Sequence, residues 1–295
     1  MSRVITMRRF GQFGRWGNQL LQYAFLKLYS EEHDCELQLP PWAGNDLLCA
    51  KEPPVTCDLP EWKEPTIRNS HLHQGMPPEH DELVNKDFAG YAQYHTSWFA
   101  KWKTRFRQLF RARVKHHEPL RDDRDTWIGV HLRRGDYGQL CFYITPVEWY
   151  FRKLEELWPT VKRPRLFIAT EDKSLVQEFA DYNPVTAEDL GVVLHDKPLE
   201  NYPYLKRDLQ VRDPSQLDFY PDFSLLTQCQ VMLAPNSTFS FVAAMLSRNV
   251  IFYRSHMPTQ SFRREDPWHA YPLQHDSVED YPDIPGVRCT TNPYW

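Results

Sequence analysis

From Thr126 onward the chain alternates short apolar runs with amphipathic segments, and this alternation restricts the possible folds more than any other feature. Residues 126–133 (TWIGVHLR), 165–170 (RLFIAT), 231–234 (VMLA) and 250–253 (VIFY) are of strand length and strongly apolar. Between them lie 145–157 (TPVEWYFRKLEEL, Pro146 near its start), 174–180 (SLVQEFA), 222–229 (DFSLLTQC) and 239–247 (FSFVAAMLS), which read as helices. Strands separated by helices build a parallel sheet, so this half is expected to be an α/β domain. The chain also opens with a candidate strand, VITMRRF at 4–10, then a turn-rich GQFGRWGNQ and a helix over 20–33 with Leu21, Phe25 and Leu28 on one face. The charged, proline-containing run HHEPLRDDRD (116–125) separates the two regions. The reading is therefore residues 1–120, residues 121–260, and a proline- and aromatic-rich surface tail over 261–295.

Composition excludes several classes. A net charge of −4 disfavours a general nucleic-acid binder. The six cysteines form no CxxC pair, so no zinc site is expected; Cys229 reads as a small core residue. Cys35, Cys49 and Cys57 would pair only in an oxidising compartment. No stretch approaches the ~20 apolar residues of a membrane span, and the first fourteen residues lack a signal-like apolar core. A cytoplasmic protein without an integral membrane segment is the expectation. Between Tyr91 and Lys115, Tyr94, Trp98, Trp102, Phe106 and Phe110 recur every four residues, with Lys101, Lys103, Arg105 and Arg107 on the other faces. This predicts a helix with an aromatic core stripe; a membrane-surface or acidic-partner role is the alternative.

Four places could carry chemistry. In the strand ending at HLRRGDY (131–137), His131 and Arg133 point the same way, and the Arg133–Arg134 pair falls where the strand becomes a loop. Ligands bind at that edge of a parallel sheet, and arginine grips phosphate oxygens through charge-assisted hydrogen bonds. A salt-bridge cluster with Asp136 is the alternative, and the RGD tripeptide is read as coincidence. In PNSTF (235–239), Ser237 and Thr238 stand between an apolar strand and an apolar helix. That is the place of an N-cap, and also of an anion site made from free helix N–H groups. Gly11, Gly14 and Gly17 have spacing GxxGxxG, which is neither the dinucleotide fingerprint nor a P-loop. Glu171, Asp172 and Asp222 could bind hydroxyls or merely cap helices. Trp42 and Trp62 could stack on sugar rings or pack locally.

Together these segments resemble the GDP-fucose-using glycosyltransferases, most closely the alpha-1,2-fucosyltransferases of glycosyltransferase family 11. The resemblance rests on GRWGNQLLQYA (14–24), GYAQ (90–93), HLRRGDY (131–137), TPVEWY (145–150), LFIATED (166–172), DFSLLTQC (222–229) and NSTFSF (236–241), in the family's order. Two departures are visible: Gly-Arg-Trp-Gly opens the first motif, closer to the protein O-fucosyltransferase and alpha-1,6 relatives. Phe241-Val242 replaces the family's tandem tryptophans.

The resemblance implies a GT-B-like α/β fold of two facing Rossmann-type domains with a cleft between them. It also implies an inverting, metal-independent transfer of L-fucose from GDP-β-L-fucose to a glycan acceptor, with the 2-OH of a galactose-terminated β-galactoside the expected target. By motif position the donor would be held by His131 at the guanosine, Arg133 at the β-phosphate with Arg134 beside it, Asp222 at the guanine edge, and Ser237, Thr238 and Phe239 at the diphosphate. Asn18 would contact the fucose or acceptor. Arg133 and Asp136 are the catalytic candidates, Asp136 as base, with Glu171, Asp172 and Asn18 as its competitors. Another nucleotide sugar or linkage, or a binding protein on the same scaffold, is the alternative reading.

Overall fold

The computed structural model describes residues 3–65, 77–112, 120, 124–135, 137–138, 142–192 and 217–274. They fall into two compact units. The first carries β1 (Val4–Thr6), β2 (Glu36–Gln38), β3 (Glu61–Lys63) and β4 (Lys86–Ala89) in the order β2-β1-β4-β3, all parallel. Helix α1 (Trp16–Glu32) connects β1 to β2, and the short helices α2 (Gly44–Leu47), α3 (Ser97–Ala100) and α4 (Lys103–Leu109) complete it.

Helix α1 is buried well beyond a single stripe, including Leu20, Leu21, Tyr23, Phe25 and Leu28. Its partners explain this: Tyr23 meets Phe110 at 6.0 Å, and Phe25 meets both Phe88 of β4 at 5.5 Å and Trp98 at 5.1 Å. The expected continuous helix over the aromatic repeat is broken. Trp102 has φ −109° and ψ 21°, which divides the segment into α3 and α4. The stripe is core nonetheless, with Tyr94, Phe99 and Phe106 fully buried. Of the basic residues around it, Lys103 and Arg107 lie over the Trp268 ring, and Lys101 and Arg105 meet acids of α1. Lys101 Nζ lies 2.7 Å from Glu32 Oε1, and the Arg105 guanidinium donates to Glu31 at 2.5 and 2.9 Å. These are solvent-exposed ion pairs between α1 and the aromatic segment. Trp42 packs against Phe10, Trp16 and Tyr23, and Trp62 of β3 stacks on Phe88, so both tryptophans serve local packing.

The second unit carries β5 (Thr126–Leu132), β6 (Pro164–Thr170), β7 (Val231–Ala234), β8 (Ile251–His256) and β9 (Ser261–Glu265), in the order β6-β5-β7-β8-β9. The strands are parallel except β9, which runs antiparallel to β8. Around them lie α5 (Val147–Leu157), α6 (Phe219–Leu226) and α7 (Thr238–Leu246). The central strand β5 pairs on both edges and is buried from Trp127 to Leu132, as its unbroken apolar run predicts. Gly129 within it touches Cys229, where a Cβ would have no room, so Cys229 is the small core residue expected. Cys35, Cys49 and Cys57 carry free thiols.

Two segments differ from the sequence reading. Residues 173–182 form a 3-10 helix instead of an α-helix. Phe179, at φ −97° and ψ 17°, leaves helical geometry and is fully buried, 4.9 Å from Phe151. The start of the expected surface tail is a strand: β9 closes the sheet edge by pairing with β8, and buried Phe262 packs on Tyr150 at 4.7 Å. The tail beyond residue 274 lies outside the described residues. No described helix is long and apolar enough to cross a membrane.

Candidate donor and acceptor sites

In the second unit the predicted donor residues gather at the carboxyl ends of β5, β6 and β7, the edge where parallel sheets receive ligands. His131 is 4 % exposed, and its ring lies 5.2 Å from that of Phe239, which meets Phe223 of α6 at 5.2 Å. Burial, then the charges of Arg133 and Arg134, push the His131 imidazole down to about 3. It is therefore neutral at physiological pH, and its buried Nδ1 has no hydrogen-bond partner among the described residues. A buried orphan nitrogen of this kind is costly unless something pairs with it, so it fits a ligand contact better than a packing role.

Arg133 lies just past β5, with Nη1 3.7 Å from Glu171 Oε1 and its guanidinium 5.6 Å from the centre of the Tyr137 ring. Glu171 Oε1 also accepts the Arg134 backbone N–H at 2.7 Å, and a Cβ on Gly135 would crowd the same oxygen at 3.0 Å. Glu171, expected as a hydroxyl ligand or base, thus clamps the loop that carries the arginines. Arg134 turns back to donate to the Arg133 carbonyl at 3.1 Å. Tyr137 ties this loop to the next one, its hydroxyl donating to the Asn236 carbonyl at 2.8 Å. The tyrosine belongs to the HLRRGDY motif, yet its bracing role had no signal in the sequence, because Asn236 is remote in the chain. Asp136 lies outside the described residues.

Asp172 is a helix cap, its Oδ1 accepting from Ser174 N–H at 3.1 Å and Ser174 Oγ at 2.6 Å. Ser237 is the N-cap of α7, its Oγ accepting the Phe239 N–H at 3.4 Å, and Thr238 is buried behind it. The cap and the anion site coincide here, because the helix terminus opens at the same sheet edge as Arg133. Asp222 stands in the first turn of α6. Burial pushes its carboxyl up to about 7, against smaller lowering effects of Lys173 and the Thr170 backbone. A carboxylate held this close to neutrality gains from any ligand that donates N–H groups to it. Phe241 and Val242, which replace the tandem tryptophans, are core residues: Phe241 packs against Phe252 at 5.7 Å and under Arg254.

Asn18 belongs to the first unit, near the start of α1. Its Oδ1 accepts from Gln93 Nε2 at 2.7 Å, which joins the GRWGNQ and GYAQ motifs, 75 residues apart. Gly14 has φ +83°, and a Cβ there would collide with the Asn18 side chain, so glycine is required on both counts. Among the described residues no cluster of three His, Cys, Asp or Glu side chains is placed to hold a metal.

No protein-family model matches the chain. Curated sequences do. The galactoside alpha-(1,2)-fucosyltransferase 1 of Alouatta belzebul is 23 % identical over 309 residues, covering 96 % of this chain and 75 % of the relative. The enzyme of the same name from Homo sapiens shows the same identity and coverage. In sequence the chain is thus similar to galactoside alpha-(1,2)-fucosyltransferases over nearly its whole length. Solved fucosyltransferases carry the same fold. NodZ alpha-1,6-fucosyltransferase soaked with GDP-fucose superposes with a TM-score of 0.51 at 13 % identity, over 90 % of this chain and 99 % of that one. A variant of Arabidopsis thaliana FUT1 in complex with GDP gives 0.52 at 13 % identity, over 90 % and 74 %. The α/β architecture is thus that of the GT-B-like fucosyltransferases.

Proposed function

We propose that this enzyme transfers L-fucose from GDP-β-L-fucose to a hydroxyl of a glycan, the 2-OH of a terminal β-galactoside, with inversion and without a metal. The galactoside alpha-(1,2) relatives favour that acceptor, and the structures of related enzymes with GDP-fucose or GDP favour that donor. The observation that carries the reading is the convergence of Arg133, His131 and the N-terminus of α7 on one sheet edge. In a one-step displacement, negative charge grows on the departing GDP. Stabilising it is the main electrostatic task, and a guanidinium beside a helix N-terminus provides that stabilisation without a cation.

In this mechanism Asp222 receives the guanine edge, and His131, neutral and against Phe239, contacts the guanosine. Ser237, Thr238 and Phe239 present the terminus of α7 to the diphosphate. Arg133 moves from Glu171 onto the β-phosphate, while Glu171 keeps the Arg134 N–H. Asp136 remains the proposed base for the acceptor hydroxyl: Asp172 serves as a cap and Glu171 as a clamp. The first unit, through Asn18, takes the acceptor. The test is incubation with GDP-fucose, a panel of galactose-terminated and galactose-free acceptors, and EDTA, with the product linkage read by NMR. An α-1,2-fucosyl galactoside is expected. Turnover only on galactose-free acceptors, or only with added divalent metal, contradicts the corresponding part.

A further inference from the structure

Glu64 directly follows β3 in the first unit and is 5 % exposed, with no cationic partner among the described residues. A buried carboxylate without a cation is unfavourable unless hydrogen bonds replace its water. Here the donors are backbone. Tyr91 N–H reaches Glu64 Oε2 at 2.7 Å and Ala92 N–H reaches Oε1 at 3.1 Å, while Glu64's own N–H donates to the Ala89 carbonyl at 3.0 Å. The turn it holds is not one the chain would choose. Ala92 sits at φ +51°, where an L-residue is disfavoured, and a Cβ on Gly90 would run into the Glu64 side chain. Burial pushes the Glu64 carboxyl up to about 7, and the Tyr91 N–H, the Tyr94 side chain and the Ala92 N–H pull it back.

The residue after that strained turn is Gln93, itself buried and bonded to Asn18. Glu64, the 90–93 turn and Asn18 therefore follow β3, β4 and β1 and sit together at the carboxyl edge of the first sheet. After the Gln93–Asn18 bond, Gln93 Oε1 and Asn18 Nδ2 have no hydrogen-bond partner among the described residues. They leave one acceptor and one donor, the complement of a sugar hydroxyl.

We propose that Glu64 is a positioning residue for the acceptor sugar: by holding the 91–92 turn it fixes Gln93, and through Gln93 the Asn18 amide, in the arrangement that receives an acceptor hydroxyl. This rests on the reading that the first unit takes the acceptor. Glu64→Gln keeps the shape but turns one acceptor into a donor facing a backbone N–H. Losing a buried hydrogen bond to a charged group corresponds to about a tenfold effect or more. The acceptor KM is expected to rise by about that factor while the KM for GDP-fucose and GDP affinity stay unchanged. Glu64→Asp, which keeps the charge, should recover part of the loss. Gln93→Leu should raise the acceptor KM as well, and the double variant should show less than the product of the single effects. Thermal midpoints of each variant separate this from a folding defect. An active wild type whose Glu64→Gln variant keeps its acceptor KM overturns the role of Glu64 alone. So does a set of Glu64 variants that lose stability with no separation of acceptor KM from donor KM. A wild type that releases no GDP with any acceptor defeats the parent reading, and this role with it.

Discussion

Asp222 shows how one buried side chain links stability, ligand binding and pH. Its folded pKa of about 7 is raised above the ordinary 3.8. The folded state thus holds the proton more tightly than the unfolded chain, so this group's contribution to stability is full below pH 3.8 and is lost as pH rises through about 7. Asp222→Asn stays neutral throughout, so its thermal midpoint is expected to gain on the wild type as pH rises from about 4 to about 7, and to gain no more above that. Identical pH profiles would contradict the assignment. GDP binding should move oppositely: if the carboxylate receives the guanine edge, wild-type affinity weakens below about pH 7, whereas the variant binds weakly at every pH. Titration calorimetry across that range reads both. Ser237 is a second case. Removing its cap in Ser237→Ala should cost about 1 kcal/mol of stability. The same change should weaken GDP binding, because the helix terminus that it orders is the proposed diphosphate site. A variant that loses stability and keeps its GDP affinity would leave Ser237 as a cap only.

Among the elements, the strands and helices of the second unit other than β9 and the 3-10 helix at 173–182 were readable because each has a single-period pattern and a local boundary signal. VMLA is β7 to the residue, and Ser237 marks the start of α7. The aromatic repeat was misleading in form. Its four-residue spacing gave one helix, whereas Trp102 breaks the segment and Phe106 reaches Trp268, 162 positions away in sequence, at 5.3 Å. Burial from two sides does not show as a clean stripe, and the acids that neutralise Lys101 and Arg105 lie on α1, so no local pattern announced the pairing. The site had the same limits. Arg133 and His131 were legible from strand alternation, and their joint placement with Ser237 from motif order. The Glu171 clamp, the Tyr137 brace and the Glu64 turn were not, since each is a contact between a side chain and distant backbone. Packing predictions belong here as well. Trp42 is 4 % exposed and touches Phe10, Trp16 and Tyr23, so Trp42→Ala should cost about 3–5 kcal/mol in urea unfolding. A loss under about 1 kcal/mol would mean that the ring is not core, and would reopen a sugar-stacking role.

For the whole molecule, the proposed division of work between the two units is one that substitutions can separate. Changes at Asn18, Gln93 and Glu64 in the first unit should act on the acceptor, whereas changes at His131, Arg133, Asp222 and Ser237 in the second should act on the nucleotide. A net charge of −4 with a cluster of cationic groups at one sheet edge suits a small phosphorylated ligand. The most direct measurement is acceptor-dependent release of GDP from GDP-fucose, in EDTA, by the wild type beside Arg133→Ala. The account predicts release by the wild type and a loss of about 10²–10³ in turnover for the variant, the size expected when a group that stabilises transition-state charge is removed. Release unchanged by Arg133→Ala, or a wild type to which GDP does not bind at all, would contradict it.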